Sequence, residues 1–445
     1  MPKTIRNLLF LLLVFPLTIH GELFYYPALS ASALGTAYAG AASGTEDITQ
    51  QFYNPAVLPY FHETAFGVVG SALFPRDQLV DGVAKTSANT ELATDGAIKD
   101  FAPHIAGGGF YGLIPMPRNL YLGIAVTTPW RRKETYAADW FGRYYGTRLE
   151  IMSTNITPSL GFSIRDILAF AVGAQIDFFH IKYEEAVDFG SIADDLSIDG
   201  SSPGNQDGFL KINANDWSYG YVVGGIMKPC DYIRLGVSFR SDVDHQFSFL
   251  PAFTLSDIGQ RVNDKNGLYK PLCDATMTIN CPQIVTAGIH YFHDCQCEFM
   301  GTIVWKSWSR DNGIRVTYSN TSQPDTVIVQ DGWNDTFSVS VGGKYYNPLR
   351  TWYLRIGGMY DQNPIPADSI QTPLFYAEET GTIAAGWGWN FCQFAYFDVA
   401  WCHVFSKDPI INQAITDDGN MFRGTLSGKI QTISDTLCFS FVGFF

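Results

Sequence analysis

LGTAYAGAASGTEDITQQFYNPAVL, Leu34 to Leu58, decides how the rest of this 445-residue chain is read. Small residues dominate its first half, the acidic pair Glu46 and Asp47 follows, and Phe52-Tyr53-Asn54-Pro55-Ala56 ends it. The stretch is too Gly/Ala-rich and aperiodic to build a core of its own as helix or strand. Asparagine before proline presets a tight turn. A compact peptide of this kind needs walls supplied from elsewhere, and the sequence that follows supplies a long series of alternating strands.

On the N-terminal side, Lys3 and Arg6, an apolar run from Leu8 to Ile19 and then His20-Gly21 have the layout of a secretory signal, expected over residues 1–21. No later run of about 18 uncharged apolar residues offers a spanning helix. Roughly 420 residues then remain, more than one ordinary domain, with no linker or low-complexity tract to divide them. A single large barrel resolves that conflict. Aromatic residues make up 15% of the chain and charged ones only 16%, low for a soluble protein. Mean hydropathy is near zero, as alternation of lipid-facing and lumen-facing residues requires. A net charge of −14 argues against nucleic acid as a partner and fits acidic extracellular loops.

The alternation is explicit. Leu168, Phe170, Val172, Ala174, Ile176 and Phe178 share one face, with Ala169, Ala171, Gly173, Gln175 and Asp177 on the other. Ile233, Leu235, Val237 and Phe239 likewise oppose Arg234, Gly236, Ser238 and Arg240. Fourteen such strands are expected, near 64–75, 104–116, 119–129, 149–164, 167–183, 216–228, 231–242, 283–293, 297–308, 335–346, 351–361, 380–390, 394–405 and 431–445. Short turns alternate with long polar loops, and the strand number is even, as in bacterial outer-membrane barrels. The last strand, LCFSFVGFF, puts Leu437, Phe439, Phe441 and Phe445 on one face. The fold class is therefore all-β: a 14-stranded antiparallel transmembrane β-barrel over 62–445, with residues 22–61 as a hatch in its lumen.

Several motifs carry a family resemblance. Beyond the Tyr-Asn-Pro-Ala turn, these are Ile156-Thr157-Pro158-Ser159-Leu160, Leu235-Gly236-Val237-Ser238-Phe239-Arg240-Ser241, Val304-Trp305-Lys306-Ser307-Trp308-Ser309 and Leu354-Arg355-Ile356-Gly357 through Pro364-Ile365-Pro366. In order and spacing the chain resembles the FadL-type (OMPP1/FadL/TodX) outer-membrane transporters of long-chain fatty acids and other hydrophobic molecules. The resemblance implies a Gram-negative outer-membrane location, a lumenal ligand pocket above the hatch, and lateral release at a kinked third strand. It also implies a monomer in outer-membrane lipid with no cofactor. Two departures stand out: Ser338 replaces a basic residue of the family pattern, and Glu379-Thr380 replaces an Asp-Arg pair. Both favour an uncharged or aromatic hydrophobic ligand over a carboxylate.

Site expectations follow. The hatch is expected to present Glu46, Asp47, Phe52, Tyr53, Asn54, Pro55 and Ala56, with the two acids paired to lumenal cations. Gly123, the interior glycine of the third strand, is the expected kink. Arg234, Arg240, Lys344, Arg355 and Asp361 lie on inward faces by phase. Lys182 falls near where the family holds a head group, on a phase that points outward. Eight cysteines in an exported chain suggest oxidised pairs, Cys273 with Cys281 and Cys402 with Cys438. His290, His293, Cys295 and Cys297 have zinc-ligand types, but antiparallel strands spread them, and no metal is expected. Neither a GxSxG elbow nor a placed serine–histidine pair points to an enzyme. The competing reading is a surface adhesin or structural porin, which has no use for a plug.

Overall fold

The computed structural model describes residues 24–445 apart from 95, 166, 268, 270–272, 311–312 and 321. The expected signal over 1–21 lies outside them. Fourteen strands form the barrel wall. The first seven are β1 (Ala65–Lys85), β2 (Ile105–Met116), β3 (Leu120–Thr127), β4 (Arg148–Ile164), β5 (Leu168–Asp188), β6 (Asp207–Cys230) and β7 (Ile233–Arg240). The others are β8 (Ile284–Phe292), β9 (Cys297–Lys306), β10 (Thr336–Tyr346), β11 (Trp352–Asp361), β12 (Thr380–Cys392), β13 (Ala395–Ser406) and β14 (Thr425–Phe444). Each pairs antiparallel with the next, and β14 returns to β1 from Ala65 opposite Phe444 to Lys85 opposite Thr425. Closure leaves the sheet no free edge strand, so backbone pairing runs around the ring as a hydrocarbon surrounding demands, interrupted locally at Thr128–Trp130.

Side-chain phase explains why these residues close in this sense. Phe170 and Val172 of β5, Leu160 and Phe162 of β4 and Val339 and Val341 of β10 are exposed on the outer surface. Ala169, Ala171, Gln175 and Asp177 on the opposite face of β5 are buried. The exposed apolar band is the lipid contact, and the small and polar residues line the bore.

All fourteen expected strands are present. Several run further than expected: β1 continues to Lys85, β6 begins at Asp207 and β14 begins at Thr425. The long connections are also more ordered than a loop. Residues Val243–Phe249, Ala275–Cys281, Ile314–Tyr318 and Thr326–Val329 form a separate four-stranded sheet. It turns Phe247, Met277, Ile279, Ile314 and Val316 into one large apolar cluster with Trp130, Trp308 and Phe375. Two helices, Phe189–Asp195 and Asp257–Asn266, pack through Phe189, Ile192, Ile258 and Val262 into a smaller one.

Candidate functional site

The segment from Phe24 to Phe61 makes its contacts around the whole ring of inward faces. Tyr26 donates its hydroxyl to Ser71 of β1 at 3.0 Å, and Tyr111 of β2 donates to the Leu29 carbonyl at 2.6 Å. Gly40 donates its N–H to Thr302 of β9 at 2.8 Å. Wall glycines let the segment come close: a Cβ on Gly236 would stand 2.0 Å from the Ala42 carbonyl oxygen, and one on Gly357 2.0 Å from that of Thr36. Leu29, Leu34, Ile48, Val57 and Leu58 are fully buried, and Phe52 nearly so. At about 1.5–3 kcal/mol each, their burial holds the segment by on the order of 10 kcal/mol.

Asn54 ties the turn to the wall. It caps the 3-10 helix Pro55–Tyr60, its Oδ1 accepting from the Ala56 N–H at 3.0 Å, with Pro55 at the first helical position where no N–H is needed. Its Nδ2 faces the carbonyls of Ala42 at 2.7 Å, Gly225 of β6 at 3.2 Å and Val237 of β7 at 3.3 Å. Arg240 donates to the Phe52 carbonyl at 2.8 Å, lies 4.3 Å over the Phe52 ring and also bonds Gln175. Ser238 donates to the Tyr53 carbonyl, and the Tyr53 hydroxyl donates to that of Pro27.

Of the two acids, Glu46 pairs with Arg234 at 3.0 Å, whereas Asp47 has no ion pair among the described residues. It caps the 3-10 helix Ile48–Phe52 instead, accepting from the Thr49 N–H at 2.8 Å. Burial and the nearby Asp398 charge push the Asp47 carboxyl up. Burial alone would raise Glu46 too, but His290, Arg234 and Lys344 outweigh it and hold that carboxyl well below the usual range. Glu46, His290 and Glu298 bring three donor atoms within 4.8 Å of one another. Arg234 already engages Glu46, and Lys344 stands opposite Glu298, so the cluster's charges are balanced by protein cations.

The remaining lumenal expectations divide. Arg355 is buried and bonds Asp398 of β13. Asp361 accepts from Lys306 of β9 at 3.2 Å and from Ser338. Lys344 lies 4.3 and 4.4 Å over the rings of Tyr346 and Tyr353. Asp398 and Lys306 were not anticipated as partners, although strand parity with Cys402 and Glu298 places both inward. Lys182 does not belong to the lumen: it shares the outer face of β5 with His180 and Glu184 and sits 4.0 Å from Glu150.

Both cysteine pairings are corrected. Cys273 lies two residues before the extended strand Ala275–Cys281 and Cys281 ends it, so about 20 Å of strand separates them, beyond any disulfide. Cys402 stands opposite Thr436, while Cys438 stands opposite Ala400. That diagonal is too long for a bridge, and both are free buried thiols.

Gly123 is not a kink either. It pairs without interruption, with Leu113 on one side and Ser159 on the other. A Cβ there would meet Leu58 at 2.7 Å, so its role is to admit the inner segment. The break in the third strand lies further on. Pairing to β2 stops at Gly109 opposite Thr127, and pairing to β4 resumes at Arg131 opposite Met152, with Thr128-Pro129-Trp130 set against two residues of β4. Proline removes a ladder donor, which suits an interruption. The exposed edge is taken by the start of the inner segment: Tyr26 donates to the Pro129 carbonyl at 2.6 Å and Arg131 to that of Phe24 at 2.7 Å.

Two cavities lie against this junction. One of about 160 Å³ is lined by Tyr25, Tyr26, Pro27, Ala28, Tyr38, Leu73, Met359, Thr380, Thr382, Cys402, Val404, Ser434 and Thr436, with no charged side chain. The other, of about 140 Å³, shares Tyr25, Tyr26, Leu73, Val404 and Ser434 with it and adds Ile105, Arg131, Arg132 and Lys133 together with Asp77, Glu134 and Glu378. Arg132 is neutralised there by Glu134 at 3.0 Å and lies 4.4 Å over the Tyr376 ring.

Comparison with known proteins agrees with this architecture. The family model described as outer membrane protein transport protein (OMPP1/FadL/TodX) matches residues 20–441. A long-chain fatty acid transport protein of Escherichia coli K12 is 21% identical over 416 residues, covering 88% of this chain and 89% of that one. Outer membrane protein P1 of Haemophilus influenzae is 21% identical over 369 residues, 76% of each. A Pseudomonas aeruginosa FadL homologue superposes with a TM-score of 0.84 at 16% identity, over 95% of this chain and all of that one. The Pseudomonas putida toluene transporter TodX gives 0.64 at 12% identity, covering 95% and 99%. The chain therefore belongs to the OMPP1/FadL/TodX family of outer-membrane transport proteins.

Proposed function

We propose that this barrel carries hydrophobic molecules, long-chain fatty acids or hydrocarbons, passively across the outer membrane, with residues 24–61 as its hatch. The observation that carries the reading is the double role of residues 24–28. Tyr25 and Tyr26 wall both cavities, and the same short peptide caps the broken edge of the third strand. A molecule that fills the cavities therefore presses on the segment closing the gap at Thr128–Trp130, and release sideways into the bilayer follows when that segment moves.

Apolar burial supplies the driving force, at about 0.8 kcal/mol for each CH₂ taken from water. The cavity bounded by Tyr38, Met359 and Cys402 has no charged lining, so it takes the ring or tail, while any polar head stays in the neighbouring cavity, where three cations and three acids share the lining. Locking the cap tests this. Tyr25 and Trp130 face each other as an isolated antiparallel bridge, a spacing compatible with a disulfide in the double variant Tyr25→Cys/Trp130→Cys. Uptake of isotope-labelled hexadecanoate or toluene should fall at least tenfold when the lock is oxidised and return on reduction, with binding retained. Unchanged uptake in the locked form would remove lateral release, and absence of uptake by the unmodified protein would remove the transport reading in favour of a structural porin or adhesin.

A further inference from the structure

The outer faces of residues 131–135, β4, β5 and β6 carry a lattice of charge just above the lipid-facing band. Strand register sets its rungs. Lys133 stands opposite Glu150, which stands opposite Lys182. Arg148 stands opposite Glu184, which stands opposite Lys211, and Arg131 begins the rung below. Neighbouring strands are about 4.8 Å apart and same-face residues about 7 Å, so the patch measures about 14 Å on a side.

Five cations here meet two carboxylates, three positive charges in excess on a chain of net charge −14. The carboxylates sit between the cations, Glu150 against Arg148 at 2.7 Å and Glu184 against Lys211 at 3.3 Å, and hold the lattice in place. The sector from β12 through β14 to β1 is different. There Arg76 meets Asp435, Lys407 meets Glu379 and Lys429 meets Asp408, one acid for each base. Depth is fixed by the aromatic residues directly beneath the lattice on β6, Trp217, Tyr219 and Tyr221, all exposed on the outer face. Aromatic side chains at a strand's outer boundary mark the headgroup level. The cationic excess therefore lies where lipid headgroups lie, continuous with the apolar band below it.

We propose that this face holds the anionic, phosphate-bearing headgroup of an outer-leaflet lipid. Arginine and lysine on neighbouring rungs match two phosphates carried by one rigid headgroup. The acyl chains continue down the apolar band beside the wall interruption at Thr128–Trp130. The inference rests on the membrane location and on the charge lattice, independently of the transport reading.

Delipidated protein in neutral detergent, incubated with diphosphorylated lipid A or with phosphatidylcholine, tests it by native mass spectrometry. The variant Lys133→Gln/Lys182→Gln/Lys211→Gln should lose lipid A retention on the order of 100-fold, about fivefold per cation. The control Arg76→Gln/Lys407→Gln/Lys429→Gln should retain it as the unmodified protein does. Raising salt from about 0.05 M to about 0.5 M should release lipid A from unmodified protein, a readout that needs no variant. Equal retention of phosphatidylcholine, equal loss in both triple variants, or salt-insensitive binding would each overturn the proposal.

Discussion

Replacing Asn54 with alanine should loosen the inner segment without opening the barrel. The Asn54 amide has two N–H groups for three facing carbonyls, so two donated bonds are lost, together with the one its Oδ1 accepts from Ala56. At about 1 kcal/mol net for each, the substitution costs about 3 kcal/mol. Against the order of 10 kcal/mol from the buried apolar side chains, that leaves the segment docked but opening roughly 100-fold more often. The wall is held by its own backbone ladder and is untouched. Hydrogen exchange read by mass spectrometry on peptides covering 54–61 measures the effect directly, with wall peptides of β5 and β6 as the internal reference. Asn54→Asp should be worse than Asn54→Ala, because it keeps the cap but turns a buried carboxylate toward three carbonyl oxygens. Protection within threefold of the unmodified protein in Asn54→Ala, or a milder effect from Asn54→Asp, would refute this account of the turn.

Gly236→Ala should displace the same segment by bulk rather than by lost bonds, since its Cβ would stand 2.0 Å from a backbone oxygen; a loss of about 1–3 kcal/mol in segment docking is expected from the same exchange measurement. Glu46 has a carboxyl held below its ordinary value of 4.5, so its contribution is fully present above that pH and is lost as the pH falls through the lower folded value. The difference in docking between the unmodified protein and Glu46→Gln, read in a titration of ion leak, should therefore be constant from pH 8 to about 5 and shrink only below about 4.5. Cys402 and Cys438, buried on the bore side, should resist a membrane-impermeant maleimide in the intact protein and become at least tenfold more reactive in Asn54→Ala.

The wall was legible because its outer face must be apolar and its inner face small or polar, a period-two signal that survives in sequence. It faded where strands leave the bilayer, since no lipid then enforces alternation; hence the unanticipated extensions of β1, β6 and β14 and the small sheet of Val243–Phe249 and its neighbours. The Asn54-Pro55 turn could be read because capping and φ restriction are local. Gly123 was misread because glycine serves bends and close approach alike, and only the position of Leu58 separates the two. Pro129 was the better signal for the break. Cysteine pairing and the partners of Arg355 and Asp361 depend on register between strands, which spacing along the chain does not reveal.

Single-channel recording in planar bilayers tests the central claim most directly: residues 24–61 close the bore to water and ions. The intact protein should show almost no ionic conductance, and a variant lacking residues 24–56 should conduct steadily, as expected of an open 14-stranded pore. Steady conductance by the intact protein, equal to that of the deletion, would contradict the account.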